Sequence, residues 1–199
     1  MTRREMLAAA IASTFSPSAS AVAAQASPSR LHVPARADRF GERKLLFGVA
    51  PHDCKLSSLD TAGALFIAES AGGEKPNDSA PTWIGPPLHL HLRQDEWFYV
   101  LEGQVHFQIG DTRVVAGPGD SIFGPRNVPH TWSRQRQGRL LEVFQPAGSM
   151  EEYFRTLASL PTLSTAPTPA ERERLSAEQE RLFAKHGMKV MGPPLVIKA

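Results

Sequence analysis

The sequence predicts an all-β domain, a sandwich or barrel of short strands, followed by a C-terminal helical extension. Between residues 44 and 147, short apolar or alternating runs are separated by turns containing Gly and Pro, the pattern of a sandwich or barrel. Residues 149–160 and 168–186 read instead as helices with recognisable ends. No internal repeat is evident, so the length supports one barrel and not two.

Taken in order, residues 27–43 are rich in Ser, Pro and Arg without a period, and read as a linker or edge arm. The strands expected next are Lys44–Ala50, Ala62–Glu69, Leu88–Leu92, Glu96–Leu101, Gln104–Ile109, Thr112–Ala116, Asp120–Phe123, His130–Ser133 and Arg139–Gln145. Ser70–Pro81, with Gly72-Gly73 and Asn77-Asp78, reads as a loop. Ser149 is positioned to cap the first helix, with Glu151 and Glu152 in its first turn, where the helix dipole favours negative charge. Thr168-Pro169 opens the second helix and Gly187 closes it. Leu175, Leu182 and Phe183 are its apolar residues on an otherwise charged surface, which describes a solvated helix lying over the barrel. The tail from Met188 to Leu195 is suited to covering a barrel edge or contacting a second subunit.

Glu102-Gly103 reads as a two-residue hairpin turn that pairs Val100 with Val105, Phe98 with Phe107 and Glu96 with Ile109. Side chains alternate between faces, so an inward Glu96 brings Phe98, Val100, Val105, Phe107 and Ile109 inward with it. His106 then shares the outer face with Trp97, Tyr99 and Leu101 and is no ligand. Trp132 falls on the side of His130, and with Phe98 and Phe107 it would form an aromatic wall beside any site there, a candidate substrate pocket. Cys54 reads as a small buried apolar residue, and His32, His52 and His186 read as surface residues. Arg126 reads as a solvated loop arginine.

The chemistry concentrates in four residues. His89 and His91 are two apart, so on a strand they project from one face with Cα atoms roughly 7 Å apart, close enough to meet one ion. Glu96 opens the next run, and His130 follows the turn-rich segment from Gly124 to Pro129. An inward carboxylate among aromatics is costly unless paired, and a metal ion supplies the pairing. Three imidazoles and a carboxylate suit a divalent transition metal: Fe, Mn, Ni, Co, Cu or Zn. Four protein ligands leave coordination positions for water or substrate.

The stretch His89-x-His91-x4-Glu96-x6-Gly103 resembles the first motif of the cupin superfamily, and Gly119-x5-Pro125-x-Asn127-x2-His130 resembles the second. With the surrounding strands the likeness extends over residues 44–147. Three positions depart from the pattern. Trp83 stands where the first motif usually has Gly, and the nearest Gly is Gly85. Asn127 replaces the Gly of Pro-x-Gly, a change the turn tolerates because Asn visits φ > 0 more readily than other non-glycine residues. Arg134 stands where the second motif ends on Asn. The resemblance implies a jelly-roll barrel, with His89, His91, Glu96 and His130 as metal ligands, and a homodimer.

It is strongest to single-domain, quercetin dioxygenase-like cupins. That implies a metal-dependent dioxygenase acting on a small flavonol-, catechol- or diketone-like compound, with Glu96 also serving as the catalytic base. The alternative is a non-catalytic exported cupin that binds a small ligand or the metal itself. Isomerase or decarboxylase chemistry needs a second acid/base group near the metal, and the predicted inner face supplies none.

The front of the chain reads as an address. Thr2-Arg3-Arg4, the Ala-rich apolar run from Met6 to Phe15 and the small residues from Ala21 to Ala26 describe a cleaved signal peptide over residues 1–26. The paired arginines point to the bacterial twin-arginine route and hence to a periplasmic or secreted protein. The run is too short to span a bilayer, so stable membrane insertion is not expected. Removing it leaves 173 of 199 residues and a formal charge of +1 in place of +2, with no basic surface of the kind nucleic acids require. The resulting division is signal peptide 1–26, linker or arm 27–43, cupin-like barrel 44–147, and helical extension with tail 148–199. The single Cys54 excludes an internal disulfide.

Overall fold

The computed structural model describes residues 32–46, 50–72, 83–135, 137–160 and 168–197. The signal peptide expected over residues 1–26, and most of the Ser70–Pro81 loop, lie outside them. The elements are β1 (Lys44–Leu46), β2 (Ala50–Leu56), β3 (Phe66–Ala71), β4 (Trp83–Ile84), β5 (Pro87–His91), β6 (Asp95–Glu102), β7 (Val105–Ile109), β8 (Thr112–Ala116), β9 (Ser121–Gly124), β10 (His130–Gln135), β11 (Arg139–Gln145), α1 (Met150–Ser159), α2 (Pro169–Lys185) and β12 (Met188–Pro194).

The strands form two antiparallel sheets. One runs β1-β2-β3-β11-β6-β9 and the other β12-β5-β10-β7-β8, with β4 paired to β10. Chain neighbours repeatedly fall in opposite sheets, which is the jelly-roll arrangement. Its inner faces bury Phe98 and Val100 from one sheet against Val105, Phe107 and Trp132 from the other, with Leu140 and Ala116 completing the cluster. Each large side chain removed from water there contributes about 1.5–3 kcal/mol. A second cluster joins Phe66, Ala68 and Phe144 to Tyr153 and Leu157 of α1 and to Leu182 and Phe183 of α2. The helices thus close one mouth of the barrel. The outer face of the first sheet is mixed: Trp97 stacks on Tyr99 there, while Arg139 pairs with Glu69 and Glu102, and Arg43 with Asp53.

Several expectations are corrected. The β6–β7 hairpin does not exist, because β6 pairs with β11 and β9 while β7 pairs with β10 and β8. The Glu102-Gly103 turn, with Gly103 at φ 73°, carries the chain from one sheet to the other. The face assignment survives, because alternation along each strand does not depend on which strand is its neighbour. Phe98, Val100, Val105 and Phe107 are buried, and His106 lies outside with its ring against Gln104.

Strand β2 was not expected as an element of its own. Pro51, His52, Asp53 and Lys55 break any apolar alternation, yet residues 50–54 are all buried. Ala62 to Leu65 is a turn and not strand, with Ala62 at φ 51° and Gly63 at φ 83°. His52 and His186 are buried, not on the surface; His52 packs face to face on Phe154 and His186 Nδ1 lies 3.0 Å from the Ser149 hydroxyl. Ser149 does sit at the head of α1, but its side chain makes no capping hydrogen bond there. Glu151 ties that helix down instead, accepting hydrogen bonds from the Ser57 hydroxyl and from the backbone and hydroxyl of Ser58. The tail becomes β12 and covers the edge of β5, with Met188 opposite His91 and Val190 opposite His89.

Candidate metal centre

Strand β5 sits between β10 and β12, and its alternation places His89 and His91 on one inward face. Strand β10 brings His130 directly opposite His89. The turn before it is held by Asn127, at φ 63°, whose backbone N–H donates to the His91 carbonyl at 2.8 Å. Glu96 arrives from the other sheet, on β6 between Phe144 of β11 and Gly124 of β9. One ligand atom from each of His89, His91, Glu96 and His130 lies within 4.8 Å of the other three, and all four side chains are buried.

Two of the imidazoles are pre-oriented. His89 Nδ1 lies 2.8 Å from the Pro87 carbonyl and His130 Nδ1 lies 2.9 Å from the Val128 carbonyl. A carbonyl only accepts, so each Nδ1 carries the proton and each Nε2 is left as the coordinating atom. His91 is different. Both of its ring nitrogens are buried without a hydrogen-bond partner among the described residues, although Nε2 approaches Glu96 Oε2 to 3.1 Å. A fully buried imidazole with no hydrogen bond of good geometry is costly, and a metal ion bound at one nitrogen would offset that cost.

The electrostatics agree with that donor set. Burial, reinforced by the neighbouring His130 and His91, pulls His89 down to about 3, so its ring is neutral at physiological pH. Burial works against the charge on Glu96, but the hydrogen bond with His130 and the close approach of both His130 and His91 outweigh it and hold the carboxyl well below the usual range. His130 moves the other way: burial would lower it, and the Glu96 carboxylate raises it. Glu96 is therefore ionised, and a divalent ion at the cluster would pair with that charge.

The cluster opens onto a cavity lined by His89, His91 and Glu96, and further by Trp132, Phe144, Tyr153, Phe154, Phe183 and Met188. The expected aromatic wall is thus only partly placed here. Trp132 lines the cavity, whereas Phe98 and Phe107 pack into the core cluster behind it and do not reach the lining. The wall comes mainly from the C-terminal extension: Phe183 of α2 meets His89 edge-on at 5.2 Å, and Tyr153 and Phe154 reach in from α1. Their helical spacing in 149–160 was the available signal, but nothing in the sequence said which face of the barrel the helix would meet. The same cavity carries polar groups that the sequence did not reveal: His52, Ser70, Glu142 and Arg134. Arg126 is on the surface, paired with Asp95.

The family model described as "Cupin domain" matches residues 78–144, a span that holds all four clustered residues. Over that segment the chain matches a cupin domain. Quercetin 2,3-dioxygenase of Bacillus subtilis is 28% identical over 117 residues, covering 57% of this chain and 32% of that protein. Oxidoreductase iacF of Pestalotiopsis fici is 36% identical over 69 residues, covering 34% of this chain and 33% of that protein. The chain therefore spans about a third of the length of these curated relatives. Among solved structures, an RmlC-like cupin from Shewanella frigidimarina is 21% identical with a TM-score of 0.46, covering 61% of this chain and 96% of that one. Helices α1 and α2 lie outside the matched cupin segment, so that part of the cavity wall is added to it by the C-terminal extension. No helix among the described residues is long and apolar enough to cross a membrane.

Proposed function

We propose that this cupin holds one divalent transition metal through His89, His91, Glu96 and His130 and acts as a metal-dependent dioxygenase on a small compound with chelating oxygens. The observation that supports this most is the buried cluster of three imidazoles and one carboxylate, in which neither His91 ring nitrogen makes a hydrogen bond among the described residues. When bound, a redox-active ion would supply open positions for substrate oxygens and for dioxygen. Both atoms of dioxygen end in the product, so no external reductant is needed.

The chain's own residues have defined tasks. His89 and His130 are held by backbone carbonyls with Nε2 directed at the cluster. Glu96 is ionised and lines the cavity, so it can accept the proton of a substrate hydroxyl as that oxygen becomes a ligand. Phe144, Phe154 and Phe183 exclude water from the apolar side. The name of the Bacillus subtilis relative points to the same reaction class.

The test is anaerobic loading with Fe, Mn, Co, Ni or Cu, elemental analysis, and oxygen uptake with catechols, β-diketones and flavonols. Near-stoichiometric metal with substrate-dependent uptake is expected. Metal retention without turnover of any of these classes would replace the enzyme with a metal-binding cupin, and failure to retain metal would remove both.

A further inference from the structure

Strand β10 carries His130, Trp132 and Arg134 on one inward face, two residues apart each time. All three are buried, and Arg134 is only 2% exposed. Trp132 and Arg134 both line the cavity that His89, His91 and Glu96 open onto. Along a strand, four residues separate the His130 and Arg134 Cα atoms by about 13 Å. The cavity therefore has the metal cluster toward one end, a guanidinium toward the other and an indole between them, with the Arg134 Cζ 5.4 Å from the Trp132 ring centroid.

Arg134 is not accounted for by the fold. Nη2 donates to the Ala71 carbonyl at 2.7 Å, while Nε and Nη1 are buried without a hydrogen-bond partner among the described residues. No described carboxylate forms an ion pair with it. Glu142, the nearest acidic influence on it, is engaged elsewhere: Ser70 donates to Oε1 at 2.7 Å, and His52 Nε2 lies 3.4 Å from Oε2. Burial draws the Arg134 guanidinium down to about 10, against the opposing charge of Glu142, so it stays a cation at neutral pH. A buried, hydrogen-bond-deficient cation destabilises a fold unless something arrives to pair with it.

We propose that Arg134 is the anion-receiving residue of this cavity and that the substrate is a carboxylate-bearing chelator, its chelating oxygens at the His89/His91/Glu96/His130 end and its carboxylate on Arg134. A planar guanidinium with free N–H groups favours a carboxylate geometrically as well as by charge. The substrate class rests on the metal-dependent reading above; the anion site itself does not.

The experiment separates the two. In metal-free protein, calorimetry compares 3-phenylpropanoate with 3-phenylpropanamide, which has the same shape without the charge. The acid is expected to bind at least ~10-fold tighter, as a charge-assisted pair in a dry cavity should. Arg134→Gln should abolish the preference, and Arg134→Lys should keep part of it, which guards against a Gln variant that fails to fold. In metal-loaded protein, 3-(3,4-dihydroxyphenyl)propanoate should gain at least a further ~10-fold over 3-phenylpropanoate, with metal content unchanged in Arg134→Gln. Equal affinity for acid and amide in the wild type, or a preference that survives in Arg134→Gln, overturns the anion site. An intact preference without a gain from the catechol oxygens overturns the two-ended substrate and leaves Arg134 as the anion site. A protein that takes up no metal overturns the metal-dependent reading, and the metal-free comparison still decides Arg134.

Discussion

His130 Nε2 and Glu96 Oε2 approach to 3.0 Å although the two residues belong to opposite sheets. The second sheet supplies three imidazoles from β5 and β10, and the first supplies the one carboxylate from β6. The cluster therefore reports the spacing of the whole sandwich, since facing sheets pack about 10 Å apart and only long inward side chains meet across the gap. Metal retention should accordingly be a sensitive measure of correct packing.

Replacing His130 by Ala removes one of the four proposed ligands and the one carried on β10. Metal affinity should fall by at least ~100-fold, more than the loss of an outer partner that merely orients a ligand. Elemental analysis after gel filtration reads this. His106→Ala, on the outer face beside Gln104, should retain full metal.

Glu96→Gln preserves shape and one coordinating oxygen but loses the proton acceptor. Partial metal occupancy is expected, with oxygen uptake reduced on the order of 100-fold or more, as for removal of a general base. Uptake equal to wild type per bound metal would take Glu96 out of the mechanism.

Metal-free protein should lose stability as the pH falls below neutrality. His89 has an ordinary value of 6.5 and is drawn to about 3 by burial in the fold. Between those values the unfolded chain holds a proton that the folded chain refuses, so the contribution is complete above pH 6.5 and declines toward pH 3. His130, raised by Glu96, works in the opposite sense: its contribution is present in acid and lost as the pH rises through its folded value. Urea midpoints between pH 7 and 4.5 should fall in the wild type and fall less steeply in His89→Gln.

Gly85 lies where its backbone meets β10 with no room for a side chain: a Cβ there would sit 1.7 Å from the Trp132 carbonyl oxygen. Gly85→Ala must push β10 away from this segment, and Trp132 and Arg134 with it. A loss on the order of 2 kcal/mol is expected in chemical denaturation. Gly117→Ala, with nothing within 4 Å of the added Cβ and an ordinary φ, should be neutral or slightly stabilising.

Export is the remaining expectation from the front of the chain. Expressed in a bacterium with a functional twin-arginine route, the protein should be recovered from the periplasm with its N-terminus near residue 27, and Arg3→Lys/Arg4→Lys should hold it in the cytoplasm. Recovery of a chain that still begins at Met1 would refute this.

Much of the barrel and its four clustered residues was legible in the sequence, because both depend on short-range regularities. Alternation puts His89 with His91, and Glu96 with Phe98 and Val100, whatever strand lies alongside. Motif spacing and an Asn able to hold φ 63° then bring His130 into register. Strand β2 was hidden because its buried positions include His52 and Asp53, whose polar groups are met by Glu142 of β11 and by Arg43 just ahead of β1.

By itself, the chain determined which residues of β5, β6, β7 and β10 share a face, through a two-residue repeat, and marked four residues as a candidate cluster by type and spacing. Only the tertiary structure decided that β6 and β7 part company into different sheets, that Phe183, Tyr153 and Phe154 wall the cavity in place of Phe98 and Phe107, and that Arg134 is left inside with two nitrogens lacking a hydrogen-bond partner among the described residues. The physical reason is the same in each case. Strand pairing, helix docking and the satisfaction of a buried charge are settled between segments tens of residues apart, by packing and hydrogen bonding that no local pattern encodes.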